Sequence, residues 1–278
     1  MKYKIVTEAS VDMPEKFAKE NDITILPIEV NFNGELYPEG LPNDEFYAKL
    51  KSTGIIPKTS QPNQYKFENA LTPYCNKEGW FVLTIVISSN LAGTIAQAKN
   101  AVDALNMKNV YICDSLITTF AEGALIMEIV KFIKEKDRQP QEVIDELERL
   151  KSKIKLIAVI NDLKYLKQGG RISGVAAALG TALNVKPIIS LESGKVTNIA
   201  KKRGEQANLF MLDSVKNRDK SYPIYFGYSA DEGNIRKFVE KYSKELEVDP
   251  KNMEYHSIGC VVGTHAGPGC YGMVYFSK

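Results

Sequence analysis

Four short segments carry most of the hydroxyl groups and small residues that could bind a ligand. Each follows the end of a regular element in the predicted structure. Together they offer hydroxyls, backbone N–H groups, the guanidinium of Arg171 and the imidazole of His265. Groups of these kinds bind a carboxylate or a phosphate. The segments are residues 58–62, 88–90, 169–173 and 263–269.

Nucleotide binding is disfavoured by the glycine patterns of these segments. A phosphate loop of the nucleotide-hydrolase type ends in Gly-Lys-Ser/Thr, and the sequence has no such run. The dinucleotide fingerprint Gly-x-Gly-x-x-Gly follows a strand and opens a helix. Here Pro268 separates Gly267 from Gly269 and disfavours a helix start. Asp114 follows a strand and could bind magnesium, but a capping role is commoner for such a residue.

Ser88 and Ser89 admit three interpretations. In a serine acyl hydrolase, either residue would be the nucleophile and His265 the base. The nucleophile elbow Gly-x-Ser-x-Gly is missing, because Ile87 and Asn90 occupy the glycine positions. The serines could instead cap the following helix, or their hydroxyls could hold a ligand. The residues alone leave these alternatives open.

Composition indicates an ordinary globular protein. The chain has 278 residues, 44% apolar content and a net charge of only +2, which argues against bulk nucleic-acid binding. Its four cysteines lack Cys-x-x-Cys spacing and it has two histidines, so we expect no metal site. No run is long enough for a signal peptide or a membrane span. We therefore expect a soluble cytoplasmic protein.

The elements that position these segments predict an α/β fold. Residues 80–87 form a nearly continuous apolar run, typical of a strand buried in a parallel sheet. A helix is predicted over 92–105, so the serines lie at the carboxyl edge of the sheet, where α/β proteins bind ligands. Strands and helices alternate throughout the first half, which predicts a Rossmann-like parallel-sheet domain over residues 1–154.

The second half predicts a mixed-sheet α/β domain over residues 155–278. Two strands, 186–191 and 195–200, form a hairpin. Residues 253–262 are predicted as a strand region and 263–269 as a glycine-rich loop. A helix of small residues over 175–183 would leave room for a ligand or a tunnel. We expect the ligand to lie between the two domains.

Five motifs, in this order, resemble the DegV family of bacterial proteins. Lys-Thr-Ser-Gln-Pro is at 58–62, and Ile-Ser-Ser-x-Leu-Ser-Gly-Thr is at 87–94 with Ala92 in place of one serine. Tyr-Leu-x-x-Gly-Gly-Arg-Ile-Ser is at 165–173, Lys-Pro-Ile at 186–188 and Gly-Thr-His-x-Gly-Pro-Gly at 263–269. The family's first loop, Asp-Ser-Thr-x-Asp, is altered here, and only Asp12 is retained.

The resemblance implies a non-catalytic protein that buries one long-chain fatty acid in an apolar tunnel and needs no cofactor or metal. Such proteins present the carboxylate to a separate fatty acid kinase, which forms acyl phosphate for phospholipid synthesis. Carried onto this chain, Thr59 and Ser89 would hold the carboxylate, and His265 and Arg171 would complete its hydrogen bonds. Further candidates on the same segments are Ser60, Ser88, Gly93 and Thr94.

A basic cluster at residues 201–203 suggests a docking surface. The segment resembles the family's arginine-bearing turn, although the following threonine is absent. Lys202 and Arg203 are our candidates for contact with the kinase or an anionic membrane surface; a solvated helix start is the alternative. The expected location is the cytoplasm, with transient contact at the inner face of the membrane and no nucleic-acid partner.

Overall fold

The computed structural model describes residues 1–178 and 185–278. The described strands are β1 (Lys2–Glu8), β2 (Ile23–Leu26), β3 (Glu29–Phe32), β4 (Glu35–Tyr37), β5 (Lys58–Ser60), β6 (Trp80–Val86), β7 (Val110–Asp114), β8 (Ile154–Val159), β9 (Val185–Glu192), β10 (Lys195–Arg203), β11 (Tyr225–Tyr228), β12 (Tyr255–Ser257) and β13 (Tyr271–Phe276).

The described α-helices surround these strands, and none of them is long and apolar enough to cross a membrane. They are α1 (Glu15–Glu20), α2 (Asn43–Thr53), α3 (Gln64–Leu71), α4 (Thr94–Ala104), α5 (Thr119–Glu135), α6 (Pro140–Lys153), α7 (Lys164–Gln168), α8 (Glu205–Ser214), α9 (Gly233–Lys241), α10 (Ser243–Leu246) and α11 (Cys260–Ala266). Short 3₁₀ helices cover Thr72–Tyr74, Ser173–Ala178, Val215–Asn217 and Pro250–Asn252.

The first sheet is parallel, in the order β2-β1-β6-β7. Its central strand β6 is buried from Val82 to Val86, as its continuous apolar run predicts. Helix α5 packs a broad buried face, from Thr119 to Val130, into the core. This arrangement confirms the predicted Rossmann-like parallel sheet of the first half.

A small antiparallel sheet has the strand order β4-β3-β5. Its strands lie between β2 and β6 in the sequence. The Asn33-Gly34 turn joins β3 to β4, with φ of 51° and 100°, as such dipeptides do in tight hairpins. The glycine and the prolines of residues 54–62 predict a loop without regular structure, and this prediction is wrong for β5. Thr59 pairs with Val30, so tertiary pairing makes Lys58–Ser60 a strand.

The second large sheet is mixed, in the order β10-β9-β8-β13-β11-β12. β11 and β12 are parallel and the other neighbouring strands are antiparallel. The β9–β10 hairpin confirms the predicted turn around Gly194. The α/β class with a parallel and a mixed sheet is therefore confirmed. The sheet's first strand begins at Ile154, and the domain boundary at residue 154 remains a prediction.

The secondary structure of residues 253–269, around the last glycine motif, differs from the prediction. The predicted strand region over 253–262 is confirmed only for β12, and the predicted loop over 263–269 only for residues 267–269, because α11 follows β12. Gly263 lets this helix pack closely, since a Cβ there would lie 2.5 Å from the Tyr47 hydroxyl. The predicted helix over 175–183 coincides with a 3₁₀ helix up to Ala178. Its remainder, 179–183, lies outside the described residues.

Candidate ligand-binding site

A cavity lies between the parallel sheet and the six-stranded sheet. One wall comes from the carboxyl edge of the parallel sheet, with Ser10 after β1 and Ile87 after β6, and from the starts of α4 and α5. The opposite wall comes from β8, β9, β10 and β13. Most of its lining residues are aliphatic: Ile28, Ile87, Leu91, Ala92, Leu156, Ala158, Ile160, Leu166, Ile189, Leu191, Val196, Ile258, Val261, Val262 and Ala266.

Thr59 and His265 meet in the cavity wall. Thr59 comes from β5 and His265 from the last turn of α11, and the Thr59 Oγ1 to His265 Nε2 distance is 3.2 Å. Burial, and then the charge of Arg171, lower the pKa of His265 to about 4. The imidazole is therefore neutral near pH 7. Its buried Nδ1 has no hydrogen-bond partner among the described residues.

Arg171 joins two of the predicted segments at the cavity. Its Nε and Nη2 donate to the Leu91 carbonyl at 3.1 and 2.8 Å, and its Nη1 donates to the Gly169 carbonyl. Burial lowers the pKa of this guanidinium. Among the described residues its hydrogen-bond partners are neutral carbonyls, and no carboxylate pairs with it. A half-buried cation of this kind favours an anionic ligand.

Thr94 and Ala92 also line the cavity, on the turn that leads into α4. The Thr94 side chain is fully buried, and its Oγ1 has no hydrogen-bond partner among the described residues. Gly93 is the N-cap of α4 and is not part of the lining. Gln61 approaches the position that a Gly93 Cβ would occupy, at 2.9 Å, and lines the cavity itself.

Three predicted hydroxyl ligands lie outside the cavity wall, and their part in ligand binding stays a prediction. Ser88 is buried, but its hydroxyl donates to the Gly194 carbonyl at 2.8 Å and so supports the β9–β10 turn. Ser89 is exposed, and its backbone N–H donates to Asp114 at 3.1 Å. Ser60 is exposed at the end of β5.

The chain path explains why these serines lie outside the cavity wall. The N–H groups of Leu91 and Ala92 donate to the Ser88 carbonyl at 2.9 and 3.1 Å, forming a turn directly after β6. This turn directs Leu91 and Ala92, rather than the preceding serines, toward the cavity. The serines do not cap α4 either, because the N-cap of this helix is Gly93 and it has no side-chain cap. The substitution at Ala92 therefore removes a hydroxyl from the wall itself.

The geometry argues against the serine hydrolase interpretation. Neither Ser88 nor Ser89 is hydrogen-bonded to His265, whose Nε2 is within hydrogen-bonding distance of Thr59. No carboxylate among the described residues orients the imidazole, since Nδ1 is unpartnered there. A nucleophile, a base and an orienting group are the parts that such catalysis requires.

Buried carboxyl groups lie behind the cavity wall. Glu8 accepts the Ile87 N–H at 2.9 Å, and Asp12 accepts the Gly259 N–H at 2.8 Å. Burial raises the pKa of Asp12 to about 7 and also raises the pKa values of Glu8 and Glu122. These residues fix the loop after β1 and the start of α11. In the part of the chain that the structure describes, no group of them forms a metal site.

The docking candidates lie on β10, at the edge of the six-stranded sheet. Arg203 is exposed at the end of this strand. Lys202 is half-buried, with its Nζ 5.9 Å from the centre of the Phe210 ring. Neither residue lines the cavity, and their role in docking stays a prediction.

Comparison with known proteins identifies the family. The family model "Uncharacterised protein, DegV family" matches residues 2–278. The chain is 28% identical over 282 residues to Protein DegV of Bacillus subtilis, covering all of both chains. A solved structure named for fatty acid binding of a DegV family protein from Thermus thermophilus has 29% identity and a TM-score of 0.89, with full coverage of both chains.

A further structure supports the fold. The Fatty Acid Kinase B3 protein of Streptococcus pneumoniae, loaded with linoleic acid, matches all of both chains with a TM-score of 0.83. Its sequence identity is 18%, so this likeness concerns the fold. The whole-chain family match and the shared two-sheet architecture agree with the five motifs. The chain belongs to the DegV family.

Proposed function

We propose that this protein binds a long-chain fatty acid, with the carboxylate at Thr59, Arg171 and His265 and the alkyl chain in the aliphatic cavity. The observation that carries the proposal is the guanidinium of Arg171, which has no anionic partner among the described residues and borders an apolar cavity. A molecule with one negative end and a long apolar body matches both features. The Thermus thermophilus relative, named for fatty acid binding, supports it.

The two parts of the site would contribute differently. Burial of a methylene group is worth about 0.8 kcal/mol, so a long alkyl chain supplies most of the affinity. Hydrogen bonds to a charged group are worth about 1.5–3 kcal/mol and have strict geometry. The aliphatic wall would therefore set affinity, and the three polar residues would set orientation.

We infer further that the protein is a non-catalytic carrier that presents the carboxylate to a separate fatty acid kinase. Thr59, Arg171 and His265 are only half-buried, and the adjacent Gln61 is exposed. This end of the cavity is thus close to solvent, where a partner could reach a bound carboxylate. The sequence has no phosphate loop of its own, so ATP would be bound by the partner. Acyl phosphate would then enter phospholipid synthesis.

The remaining parts of the proposal concern docking and location. Lys202 and Arg203 would contact the kinase or, transiently, the anionic inner face of the membrane, where each cation is worth about 1 kcal/mol. The protein would otherwise reside in the cytoplasm. It would need neither a cofactor nor a nucleic-acid partner.

The kinase step can be tested with purified components. Oleate would be supplied to an ATP-dependent bacterial fatty acid kinase, either free or bound to this protein, and acyl phosphate would be trapped with hydroxylamine. We expect product mainly from the bound oleate, because only the carrier places the carboxylate at the kinase active site. Equal turnover of free oleate would contradict the carrier role.

A matched pair of charge reversals tests the docking surface in the same assay. Arg203→Glu should slow turnover without releasing oleate. Lys195→Glu, an exposed residue at the opposite end of β10, serves as the control. If both variants turn over at the same rate, the surface at Lys202 and Arg203 is not the docking site.

A further inference from the structure

A second group of polar side chains lies on the cavity wall, away from the carboxylate site. Ser10, Thr118 and Thr119 all line the cavity, and each is more than nine-tenths buried. The Thr119 N–H donates to the Ser10 carbonyl at 2.9 Å, so the three residues are adjacent. We call them the inner hydroxyl cluster. Ile87 and Phe120 contribute apolar surface to the same cavity.

Two hydroxyls of the cluster donate hydrogen bonds to carboxylates, and the third has no hydrogen-bond partner among the described residues. Ser10 donates to Glu8 at 3.0 Å, and Thr119 donates to Asp12 at 2.5 Å. Each hydroxyl has a single proton and two lone pairs, so these two retain acceptor capacity. Thr118 Oγ1 is buried and has no partner among the described residues. The cluster thus combines one unused donor with two hydroxyls that can still accept.

An unpaired buried hydroxyl is costly, and the backbone next to Thr118 is strained. Thr119 has a φ of 59°, which is unfavourable for a β-branched residue. Asp12 and Ser10 hold both its hydroxyl and its N–H in this conformation. Strain of this kind persists where surrounding contacts over-determine a functional geometry.

The length of helix α11 gives the approximate distance between the inner hydroxyl cluster and the carboxylate site. Asp12, which holds Thr119, also accepts the N–H of Gly259, the N-cap of α11. His265 lies six residues further along, which corresponds to about 9 Å at 1.5 Å per residue. Val261 and Val262 line the cavity between the two ends. The cluster therefore lies beside the alkyl chain and not at its carboxylate.

We propose that the cavity selects fatty acids with a hydroxyl group near the middle of the chain. Thr118 would donate to that hydroxyl, and the hydroxyl would donate to Ser10 or Thr119. An unsubstituted chain would leave Thr118 unpaired, and sites built to bond a hydroxyl discriminate against analogues that lack it. This inference rests on the proposed fatty-acid function and names its substrate class.

A competition experiment tests the inference. The delipidated protein would be incubated with equal concentrations of stearic acid and the 8-, 10- and 12-hydroxystearic acids, and the bound acids quantified by mass spectrometry. We expect at least one hydroxy acid to be enriched by roughly tenfold over stearic acid. Thr118→Val, which keeps the side-chain shape, should bring this ratio close to one while stearic acid still binds.

The matched control is Thr84→Val. Thr84 on β6 also has a buried, unpartnered hydroxyl among the described residues, but it does not line the cavity. This variant should keep the wild-type ratio. If the wild type binds stearic acid without preferring a hydroxy acid, or if Thr118→Val keeps the preference, the inference is overturned. If no acid binds the wild type, the proposed function fails as well.

Discussion

Replacing Ala158 by Phe is expected to weaken fatty-acid binding by roughly 200-fold. Ala158 lies on β8 opposite Gly272 on β13, and both residues line the cavity. The small side chain of Ala158 leaves space in the cavity that a large apolar side chain would otherwise fill. A Phe ring would occupy space for several methylenes. At about 0.8 kcal/mol per methylene, losing four of them costs about 3.2 kcal/mol, which weakens binding by roughly 200-fold.

The measurement is the Kd for oleate by fluorescence displacement, with lipid content after purification as a second readout. Ala158→Val is the graded control, because it adds only two methyl groups and should weaken binding to a smaller extent. Thermal unfolding of both variants without lipid checks that the fold is retained. Wild-type affinity in a folded Ala158→Phe variant would show that the alkyl chain does not occupy this cavity.

Arg171→Met is expected to raise the Kd for fatty acids by about 10- to 100-fold, the value of a hydrogen bond to a charged group. The variant keeps an unbranched side chain but removes the cation and its bonds to Leu91 and Gly169. Oleyl alcohol provides the informative comparison. The wild type should prefer oleate over the alcohol, and the variant should lose most of this preference.

Two controls make the Arg171 result specific. Arg171→Lys keeps the charge but cannot bridge both carbonyls, so an intermediate affinity is expected. Arg236→Met removes an arginine that pairs with Glu232 on the surface of α9 and should leave binding unchanged. If Arg171→Met retains the preference for oleate, the carboxylate is bound elsewhere.

The sequence predicted elements whose patterns are local. The continuous apolar run of β6 and the hairpin turn at Gly194 were predicted correctly because neighbouring residues determine them. The strand at Thr59 and the helix that carries His265 were missed. Both depend on contacts with distant parts of the chain, Val30 in one case and Tyr47 in the other.

The same distinction applies to the site. Thr59, Arg171, Thr94 and His265 were predicted from motif positions, and the structure brings all four to one cavity. Ser89 was predicted from its place after β6, but the turn that follows directs Ala92 to the wall instead. The inner hydroxyl cluster had no local signal, since Ser10 and Thr119 are brought together by folding over more than a hundred residues.

Lipid extraction from the purified wild-type protein tests most directly whether the cavity holds a fatty acid. The protein would be denatured, extracted into organic solvent and analysed by mass spectrometry, with the acid quantified against protein concentration. We expect about one molecule of long-chain fatty acid for each protein chain. Protein that purifies without fatty acid, and fails to take up added oleate or hydroxystearic acids, would contradict it.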